Sequence, residues 1–500
     1  MAIDKAWFEQ MEAKIPTGKV RTRFAPSPTG FMHVGGLRTA LYAYLISKKA
    51  GGTFILRIED TDRSRYVEDA TDIIIRTLKG VGLDFDEGPG VGGPVGPYIQ
   101  TERKPLYRPY AELLCGKGAA YYCFCRHVER DERDHEEPGA AAGAEDPCRN
   151  LPYEESKRRV DAGVSHVIRM KAPRAGTTSF HDEIFGGITV ENKTLDDMVL
   201  MKSDNLPTYN FANVIDDHLM GITHVVRGTE YLPSAPKYNI LYDAFGWPKP
   251  KYVTVPLIMR DATHKLSKRR GDPTYEDLLT EGYLPEAVLN YVALLGWSPG
   301  GEREFFTLRE LVETFDIKGI SKSPAIFDKE KLTYFNSEYI RTLPPERFAA
   351  LAEPYIRQAV KNPTLDAGEI AVLLQPRCEK LTDIPEKIDF FDALPEYDTE
   401  LYVHKKSKTD EAVSLRMLDA VQPLMESLPE WTLEAIRDAL VGLAEKLETK
   451  NATLLWPLRI AVSGKAVTPG GAVEICHILG REETLSRIKT GIKKLKEGKV

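Results

Sequence analysis

The amino-terminal part of the sequence contains a strand, a loop, a helix and a second strand in close succession. Val20–Phe24 predicts a short strand that runs into a Pro-Ser-Pro-Thr-Gly turn at 26–30. Apolar side chains recur at helical spacing over Leu37–Lys49, and Gly51–Gly52 ends that pattern. In Thr53–Asp60 apolar and charged side chains alternate, as they do in a strand. Two strands joined by a helix form a βαβ unit, so the sequence predicts a parallel sheet.

The chain is too long for one ordinary hydrophobic core. It has 500 residues, whereas domain cores stop growing near roughly 250–300 residues, so we expect at least two domains. Hydrophobic residues make up 42% and charged residues 28% of the chain, which excludes global disorder. The net charge of −7 does not exclude a nucleic-acid partner, because such binding depends on local clusters of lysine and arginine.

The sequence has neither a dense set of cysteines nor a segment suited to a membrane. Its 6 cysteines are too sparse for a disulfide framework. Met1–Lys14 lacks the apolar core of a signal peptide, and no apolar run approaches the roughly 18 residues of a membrane helix. We therefore expect a cytoplasmic protein with no membrane contact.

The character of the chain changes along its length. Residues 86–97 are crowded with glycine and proline and predict a loop, while 130–148 predict an exposed insertion. A second α/β stretch covers about 197–260. From about residue 275 helical periodicity dominates. The basic segment Arg481–Val500 fits either a solvated helical face or one that contacts phosphate.

Two segments have the composition of a phosphate-binding site. Arg23–Gly36 leaves the carboxyl end of a strand and precedes a helix, whose free N–H groups and dipole favour phosphate. Within it, His33 could donate to a phosphate oxygen. The second segment, Lys265–Arg270, has four basic residues in the sequence KLSKRR and suits the charge of a triphosphate. Taken alone, each segment is also compatible with a connector or a solvated basic turn.

Other polar residues could hold an amino acid. Glu59, in the acidic end of the second strand, could bind an ammonium group or form an ion pair with Arg57. Tyr209–Asn213 offers neutral hydrogen bonds, and Arg227 offers a planar fork for a carboxylate. The alternative for this second group is core aromatic residues with nearby surface charge.

Three cysteines have a spacing that is typical of zinc ligands. They are Cys123, Cys125 and Cys148. A fourth ligand is missing where it would be expected, because Asn150 is a poor zinc ligand, although His127 or His135 could replace it. The spacing alone leaves open a zinc site and a metal-free insertion.

Several motifs resemble, in order, the class I aminoacyl-tRNA synthetases in their glutamyl form. The HIGH region of that family is similar to RFAPSPTGFMHVGG at 23–36, and its KMSKS loop is similar to KLSKRRG at 265–271. The resemblance continues in ILRIEDTDRSR at 55–65, QTERKPLY at 100–107, LPTYNFANVIDDHLMGITHVVRGTEYLPSAPK at 206–237 and LRIAVSGKAVTPGGAVEICHILG at 458–480. It covers nearly the whole chain, and the ordered set of motifs is very specific for the bacterial-type enzymes.

The resemblance implies an enzyme that activates L-glutamate with ATP and transfers it to tRNA(Glu). Glutamate would attack the α-phosphate to give glutamyl-adenylate and pyrophosphate, and the terminal adenosine of the tRNA would then accept the glutamyl group. No side chain forms a covalent intermediate, so catalysis must come from positioning and charge stabilisation. Mg²⁺ should accompany ATP as a counter-charge. We expect a monomer.

The resemblance also assigns site residues by position in the motifs. His33, Lys265 and Lys268 would be catalytic. The residues that contact ATP would be His33, Gly35, Gly36 and Lys268. The glutamate pocket would be formed by Arg23, Ser27, Glu59, Tyr209, Asn213 and Arg227. Arg23 and Arg227 would bind carboxylates and Glu59 the ammonium group, as a dicarboxylic amino acid requires. Gly36 stands where the HIGH motif has its last histidine, as is usual for the glutamyl branch.

The implied architecture is an α/β Rossmann-type catalytic domain with a parallel sheet and an inserted acceptor-binding domain, followed by all-α anticodon-binding domains. The corresponding segments are catalytic residues 1–110 and 191–250, an acceptor-stem-binding insertion at 111–190, a connecting domain with the KMSKS-type loop at 251–330, and helical domains at 331–500. Arg269, Arg270 and the lysines and arginines of 487–499 would contact tRNA.

Four other functions fit parts of the sequence. A nondiscriminating form would also charge tRNA(Gln), and nothing in the sequence separates it from a discriminating one. Intact His33, Glu59, Arg227 and Lys268 argue against a catalytically silent tRNA-binding paralogue. The short relative that glutamylates queuosine in tRNA would lack the residues beyond 330. A small-molecule cytidylyltransferase would need neither the acidic-amino-acid pocket nor the second half of the chain.

Overall fold

A computed structural model of the chain describes residues 5–61, 67, 69–125, 146–266 and 270–497. The chain divides into two compact units. The first contains Met1–Asp277 and Val288–Asp328, and the second contains Leu278–Ala287 and Lys329–Val500. Lys268, Arg269, His127, His135 and most of the predicted insertion at 130–148 lie outside the described residues. The finer division into five segments stays a prediction.

The described strands all belong to the first unit. They are β1 (Arg21–Phe24), β2 (Thr53–Leu56), β3 (Ala120–Cys123), β4 (Val167–Met170), β5 (Thr177–Asp182), β6 (Gly186–Glu191), β7 (Val199–Met201), β8 (His224–Gly228), β9 (Lys251–Val255), β10 (Ile258–Met259) and β11 (Ala325–Ile326). The largest sheet has the order β2-β1-β8-β9-β5-β6. Only β6, at one edge, runs antiparallel to its neighbour. The predicted parallel sheet is therefore confirmed.

The first unit also contains helices, several of which pack against these strands. They are α1 (Lys5–Glu12), α2 (Val34–Lys49), α3 (Ala70–Gly80), α4 (Lys104–Gly116), α5 (Tyr153–Asp161), α6 (Tyr209–Leu219), α7 (Ala235–Phe245), then α8 (Tyr275–Thr280) and α9 (Pro285–Leu294), which run across the division between the units, and α10 (Leu308–Thr314). The antiparallel sheet β3-β4-β7 packs with α4, α6 and α7 in one apolar cluster.

The predicted βαβ unit consists of β1, α2 and β2, with Arg21 paired to Thr53 and Phe24 to Leu56. The helix begins earlier than predicted, at Val34, because the side chain of His33 caps it. β2 ends at Leu56 and is shorter than predicted. The residues after it still bond to the segment that follows β1, since the N–H of Glu59 donates to the carbonyl of Pro26 at 3.0 Å.

The second unit is helical in its described part. Its helices are α11 (Lys329–Thr342), α12 (Pro345–Ala359), α13 (Ala367–Leu374), α14 (Ile384–Ile388), α15 (Glu411–Glu426), α16 (Leu433–Lys446), α17 (Asn451–Ser463), α18 (Ala472–Leu479) and α19 (Arg481–Glu497). Their apolar faces share one core that includes Leu418, Leu440, Leu458 and Ile488. The predicted order of an α/β region followed by an all-α region is confirmed.

The cations of α19 make contacts within the protein. Arg487 is buried and donates to the carbonyls of Phe390 and Val462 at 2.6 and 2.8 Å. The prediction that this arginine contacts tRNA is therefore wrong, because its guanidinium satisfies buried backbone groups. Lysines of the same helix form exposed ion pairs, which are Lys489 with Glu426, Lys494 with Glu396 and Lys496 with Asp419. These carboxylates reduce the positive field of the helix.

Two further features are the state of the cysteines and the apolar character of the helices. All six cysteines are free thiols, and five of them are buried. Among the helices that the structure describes, none combines the length and the apolar character needed to cross a membrane.

Candidate active site

A cavity of about 220 Å³ lies where neighbouring parallel strands of the large sheet end. Its lining includes Phe24 from β1, Gly228 from β8 and Val255 from β9, together with the first turn of α2. The carboxyl ends of parallel strands are where open α/β sheets bind ligands. The cavity therefore lies at the position that the βαβ unit predicts, and it joins segments that are far apart in the sequence.

His33 lies at the amino end of α2 and lines the cavity. Its Nδ1 accepts the N–H of Gly36 at 2.9 Å, so a neutral ring carries its proton on Nε2. A Cβ atom at Gly35 would lie 3.0 Å from ring atoms of His33. Glycine at that position leaves room for the capping ring. His33, Gly35 and Gly36 are thus brought together at a helix end whose N–H groups favour an anion.

Lys265 and Leu266 bring the basic segment to the same cavity. The N–H of Leu266 donates to the carbonyl of Ile258 at 3.0 Å. The turn between these two residues is held by Asp261, whose carboxylate accepts N–H groups of Thr263 and His264 at 2.8 and 2.9 Å. The structure therefore places Lys265 where the sequence predicts it. The role of Lys268, which lies beyond the described part of this loop, stays a prediction.

Arg227 is a buried cation surrounded by aromatic rings. Its guanidinium carbon lies 4.8 Å from the ring centre of Tyr238, 4.9 Å from that of Tyr252 and 5.9 Å from that of Tyr231. Its Nε is buried without a hydrogen-bond partner, and among the described residues no carboxylate forms an ion pair with it. Because Arg227 lines the cavity, a carboxylate there would satisfy both its charge and its planar donors.

A network of buried charges lies beside the cavity. Arg23 binds Asp217 through Nε and Nη2, at 2.9 and 3.1 Å from the two carboxylate oxygens. Arg57 donates from Nη1 to Asp217 at 2.8 Å and from Nη2 to Glu59 at 2.8 Å. Burial alone would raise the pKa of Asp217, but the guanidinium groups of Arg23 and Arg57 outweigh it and lower that pKa. Two arginines and two carboxylates thus neutralise one another.

Glu59 has one satisfied and one unsatisfied oxygen. Its Oε1 accepts from Arg57, which is the ion pair that the sequence left as an alternative. Its Oε2 is buried, and in the part of the chain that the structure describes it has no hydrogen-bond partner. Burial raises the pKa of Glu59 to about 7, against the opposing effect of Arg57. A cation beside Oε2 would stabilise the charged carboxylate, so ion pairing with Arg57 and ammonium binding are compatible.

The remaining predicted pocket residues occupy different positions. Tyr209, the first residue of α6, lines the cavity with its ring 5.7 Å from that of Tyr231. Asn213 is buried further along the same helix, and Ser27 is exposed in the loop after β1. Within the described residues, the cavity lining includes Arg23 and Tyr209 but not Ser27, Glu59 or Asn213. The roles of all five residues in the pocket stay predictions.

Sequence reasoning did not assign a role to the residues around Asp216. This buried carboxylate accepts from Arg103 Nε at 2.6 Å, from Gln100 Nε2 at 2.9 Å and from the hydroxyl of Tyr107 at 3.0 Å. All three donors belong to the QTERKPLY motif at 100–107, which the sequence marks only by its resemblance to the family. The motif supports the helix that carries Asp217, the partner of Arg23 and Arg57.

The three predicted zinc thiolates lie together, and the structure adds a fourth group. Cys123, Cys125, Cys148 and Asp146 each offer a ligand atom, and these atoms all lie within 4.8 Å of one another. The Sγ atoms of Cys125 and Cys148 are 3.6 Å apart, and Asp146 accepts the thiol of Cys123 at 2.8 Å. Three thiols and a carboxylate are a donor set that suits zinc. Asp146 escaped sequence reasoning because it precedes the third cysteine.

Comparison with known protein families decides the family of the chain. Residues 19–334 match the model described as "tRNA synthetases class I (E and Q), catalytic domain", and residues 347–492 match an anticodon binding domain. The chain belongs to the class I tRNA synthetases. It is accordingly an aminoacyl-tRNA ligase, and the predicted fold class and enzyme class are confirmed.

Relatives of this synthetase extend over nearly its whole length. It is 57% identical over 482 residues to a glutamate–tRNA ligase of Clostridium botulinum, covering 96% of this chain and 99% of that protein. It is also 57% identical over 480 residues to the glutamate–tRNA ligase of Clostridium tetani, covering 96% and 98%. Among solved structures, a glutamate tRNA ligase from Elizabethkingia meningosepticum, crystallised with its amino acid, is 35% identical with a TM-score of 0.83, covering 96% and 100%.

We predict that Asp217→Asn destabilises this synthetase, because Arg23 and Arg57 would then be buried without their shared counter-charge. The expected loss in the free energy of unfolding is about 3–5 kcal/mol, typical of a broken buried ion pair. Asp243→Asn is the matched control, since Asp243 pairs with Lys249 at the surface, where such pairs contribute about 0–1 kcal/mol. Denaturant unfolding would measure both. Equal stability of the two variants would contradict the bridging role of Asp217.

Proposed function

We propose that this chain is a glutamate–tRNA ligase. The observation that carries the proposal is Arg227, a buried arginine that faces the cavity without a carboxylate partner among the described residues. Such a group favours a ligand with a carboxylate beyond the one that every α-amino acid has. The names of the relatives support the same substrate. We expect the enzyme in the cytoplasm, because its three substrates, ATP, glutamate and tRNA, are those of protein synthesis.

The reaction has two steps in this proposal. A carboxylate oxygen of glutamate forms a bond to the α-phosphorus of ATP, and the bond from that phosphorus to pyrophosphate breaks. A ribose hydroxyl of the terminal tRNA adenosine then attacks the glutamyl carbonyl, AMP leaves with the bonding electrons, and the hydroxyl proton is lost. No protein nucleophile takes part. The side chains therefore act by orienting the reactants and by stabilising charge that develops on the phosphates.

The ATP half of the site would use the amino end of α2 and the basic loop. With Nδ1 of His33 engaged by Gly36, the Nε2–H is the group that would donate to a phosphate oxygen. Gly35 and Gly36 would let the nucleotide approach the helix backbone closely. Lys265, which lines the cavity, and Lys268 would follow the charge that develops on the leaving pyrophosphate. Mg²⁺ would accompany ATP, because magnesium usually binds through phosphates and few protein ligands.

The glutamate half of the site would use Arg227 together with Arg23 and Glu59 of the buried charge network. Arg227 would bind one carboxylate, and Arg23 would contribute the N–H groups that Asp217 and Val226 leave unused. The unsatisfied Oε2 of Glu59 would bind the ammonium group. Tyr209, Asn213 and Ser27 would add neutral hydrogen bonds. This arrangement sets a cation against each carboxylate and an anion against the ammonium group.

Charging of two purified transcripts, tRNA(Glu) and tRNA(Gln), tests the proposed function. We expect glutamate to be attached to tRNA(Glu) in the presence of ATP. Attachment to tRNA(Glu) alone would establish a discriminating enzyme whose selectivity resides in tRNA contacts. Attachment to both would establish a nondiscriminating enzyme. A failure to charge either transcript, together with no glutamate-dependent exchange between ATP and pyrophosphate when tRNA is present, would contradict the ligase and favour a silent tRNA-binding paralogue.

Arg227→Ala should raise the KM for glutamate far more than the KM for ATP. Loss of a charge-assisted pair costs about 1.5–3 kcal/mol, so the expected rise is roughly 10- to 100-fold. Arg174→Ala is the control, since that arginine is half-exposed in an ion pair with Asp197. Steady-state kinetics with each substrate varied in turn would make the measurement. Equal increases in the two KM values would refute the assignment of Arg227 to the glutamate carboxylate.

A zinc ion bound by Cys123, Cys125, Cys148 and Asp146 is the finer proposal about cofactors. When bound, zinc would hold together the ends of the segment between Cys125 and Asp146 and would play no part in the chemistry. We expect about one equivalent of zinc in purified protein and its loss in Cys123→Ser. The control is Cys115→Ser, which removes a buried thiol outside the cluster. Elemental analysis that finds equal zinc in the two variants would contradict this site.

A further inference from the structure

Arg38 is a second buried arginine in the wall of the cavity. It lies on α2, one turn after His33, and only 3% of its surface is exposed. Its Nη1 donates to the carbonyl of Leu295 at 2.9 Å, and its Nη2 donates to the carbonyl of Pro256. Arg38 therefore links the helix that starts at the predicted ATP site to two segments more than 200 residues away in the sequence.

The charge of Arg38 is not balanced by an ion pair with any described carboxylate. Its Nε is buried and has no hydrogen-bond partner among the described residues. Burial lowers the pKa of its guanidinium below the ordinary value, and the carboxylate of Glu230, which also lines the cavity, only partly opposes this effect. A buried cation without a directly bonded counter-ion is costly, and a neutral side chain could donate to one of the two carbonyls without that cost. The retained charge therefore indicates a role at the cavity that its anchoring contacts alone do not require.

The carbonyl that Arg38 holds lies in the segment that leads through β10 to the basic loop. Pro256 follows the last residue of β9 and precedes β10, and residues 255–258 line the cavity together with Arg38. Ile258 in turn accepts the N–H of Leu266. One short path from His33 to Lys265 thus runs through Arg38 and Pro256, beside the backbone bridge between His33 and Thr274. The fit is close, because a Cβ atom at Gly296 would lie 3.3 Å from both Arg38 Nη1 and Pro256 Cγ.

We propose that Arg38 is a positioning residue for the nucleotide. By holding the Pro256 carbonyl, it sets the backbone of 256–258 and the base of the KLSKRRG loop against the amino end of α2. The inference rests on the proposed function, because it takes the triphosphate to lie between His33 and Lys265. It predicts that loss of the Pro256 contact weakens ATP binding and leaves glutamate binding, which uses Arg227 and Glu59, nearly unchanged.

Tyr42 provides a matched control on the same helix. Its hydroxyl donates to the carbonyls of Ala293 and Leu295 at 3.0 and 3.2 Å, whereas the Pro256 carbonyl accepts from Arg38. Tyr42 and Arg38 therefore share the Leu295 anchor, whereas only Arg38 has the Pro256 anchor. Tyr42→Phe removes the bonds from Tyr42 to these carbonyls, retains the ring and leaves both bonds of Arg38 in place. Comparison of the two variants separates a general packing effect from an effect on the nucleotide loop.

The experiment compares Arg38→Gln, Arg38→Lys and Tyr42→Phe in ATP–pyrophosphate exchange with tRNA(Glu) present, alongside their thermal unfolding. Arg38→Gln should raise the KM for ATP about tenfold, the upper end for a lost hydrogen bond. Arg38→Lys, which can reach one carbonyl, should give a smaller increase, and Tyr42→Phe should give none. The KM for glutamate should change less than about twofold in all three variants. Such a change corresponds to less free energy than one typical hydrogen bond contributes.

Three results would overturn the proposal. They are an unchanged KM for ATP in Arg38→Gln, an equal increase in Tyr42→Phe, and an equal increase in the KM for glutamate. If Arg38→Gln does not fold, the same comparison is made with Arg38→Lys, where an ATP KM equal to that of Tyr42→Phe contradicts the role. Absence of exchange in the unaltered enzyme would instead contradict the proposed function, so the two failures are distinguishable.

Discussion

The shared ion pairs of Asp217 with Arg23 and Arg57 are the interaction on which the candidate site depends. Arg23 comes from β1, Arg57 from the segment after β2, and Asp217 from α6, so one carboxylate joins three elements that are distant in the sequence. The desolvation of these charges is offset only because each has a partner in good geometry. The pairs therefore fix the strand ends relative to the site helix.

Next to this balanced network lie buried polar atoms without partners among the described residues. They include the Nε atoms of Arg227 and Arg38 and the Oε2 atom of Glu59. An unpaired polar group in a medium of low dielectric constant is costly in the free protein, but it interacts strongly with a ligand of the opposite charge. Arg227 and Glu59 would use these atoms to contact the substrates, whereas Arg38 would position the nucleotide through the Pro256 carbonyl.

The main structural features around the site could be predicted from the sequence because they depend on local residue patterns. Helix starts, strand alternation and glycine-rich turns are local properties, which is why β1, α2 and β2 could be predicted, with errors confined to their ends. The chemistry of Arg227, Glu59 and Lys265 brought these residues into consideration, and the ordered motifs then assigned them to one site through a resemblance to a family. Asp146, Gln100, Arg103 and Arg38 were missed as functional candidates, because the roles suggested for them depend on contacts between remote segments. Arg487 was misjudged for the same reason, since burial removes a basic side chain from the surface.

The sequence by itself determined the α/β class of the first half, the helical character of the second, and the kinds of charge available for a nucleotide and an acidic amino acid. These follow from side-chain periodicity and from residue types, which do not depend on the folded coordinates. Only the tertiary structure decided which of those charges are neutralised. Arg23 and Arg57 share Asp217, while Arg227 faces tyrosine rings, and this difference arises because folding decides which side chains become neighbours and which lose their contact with water.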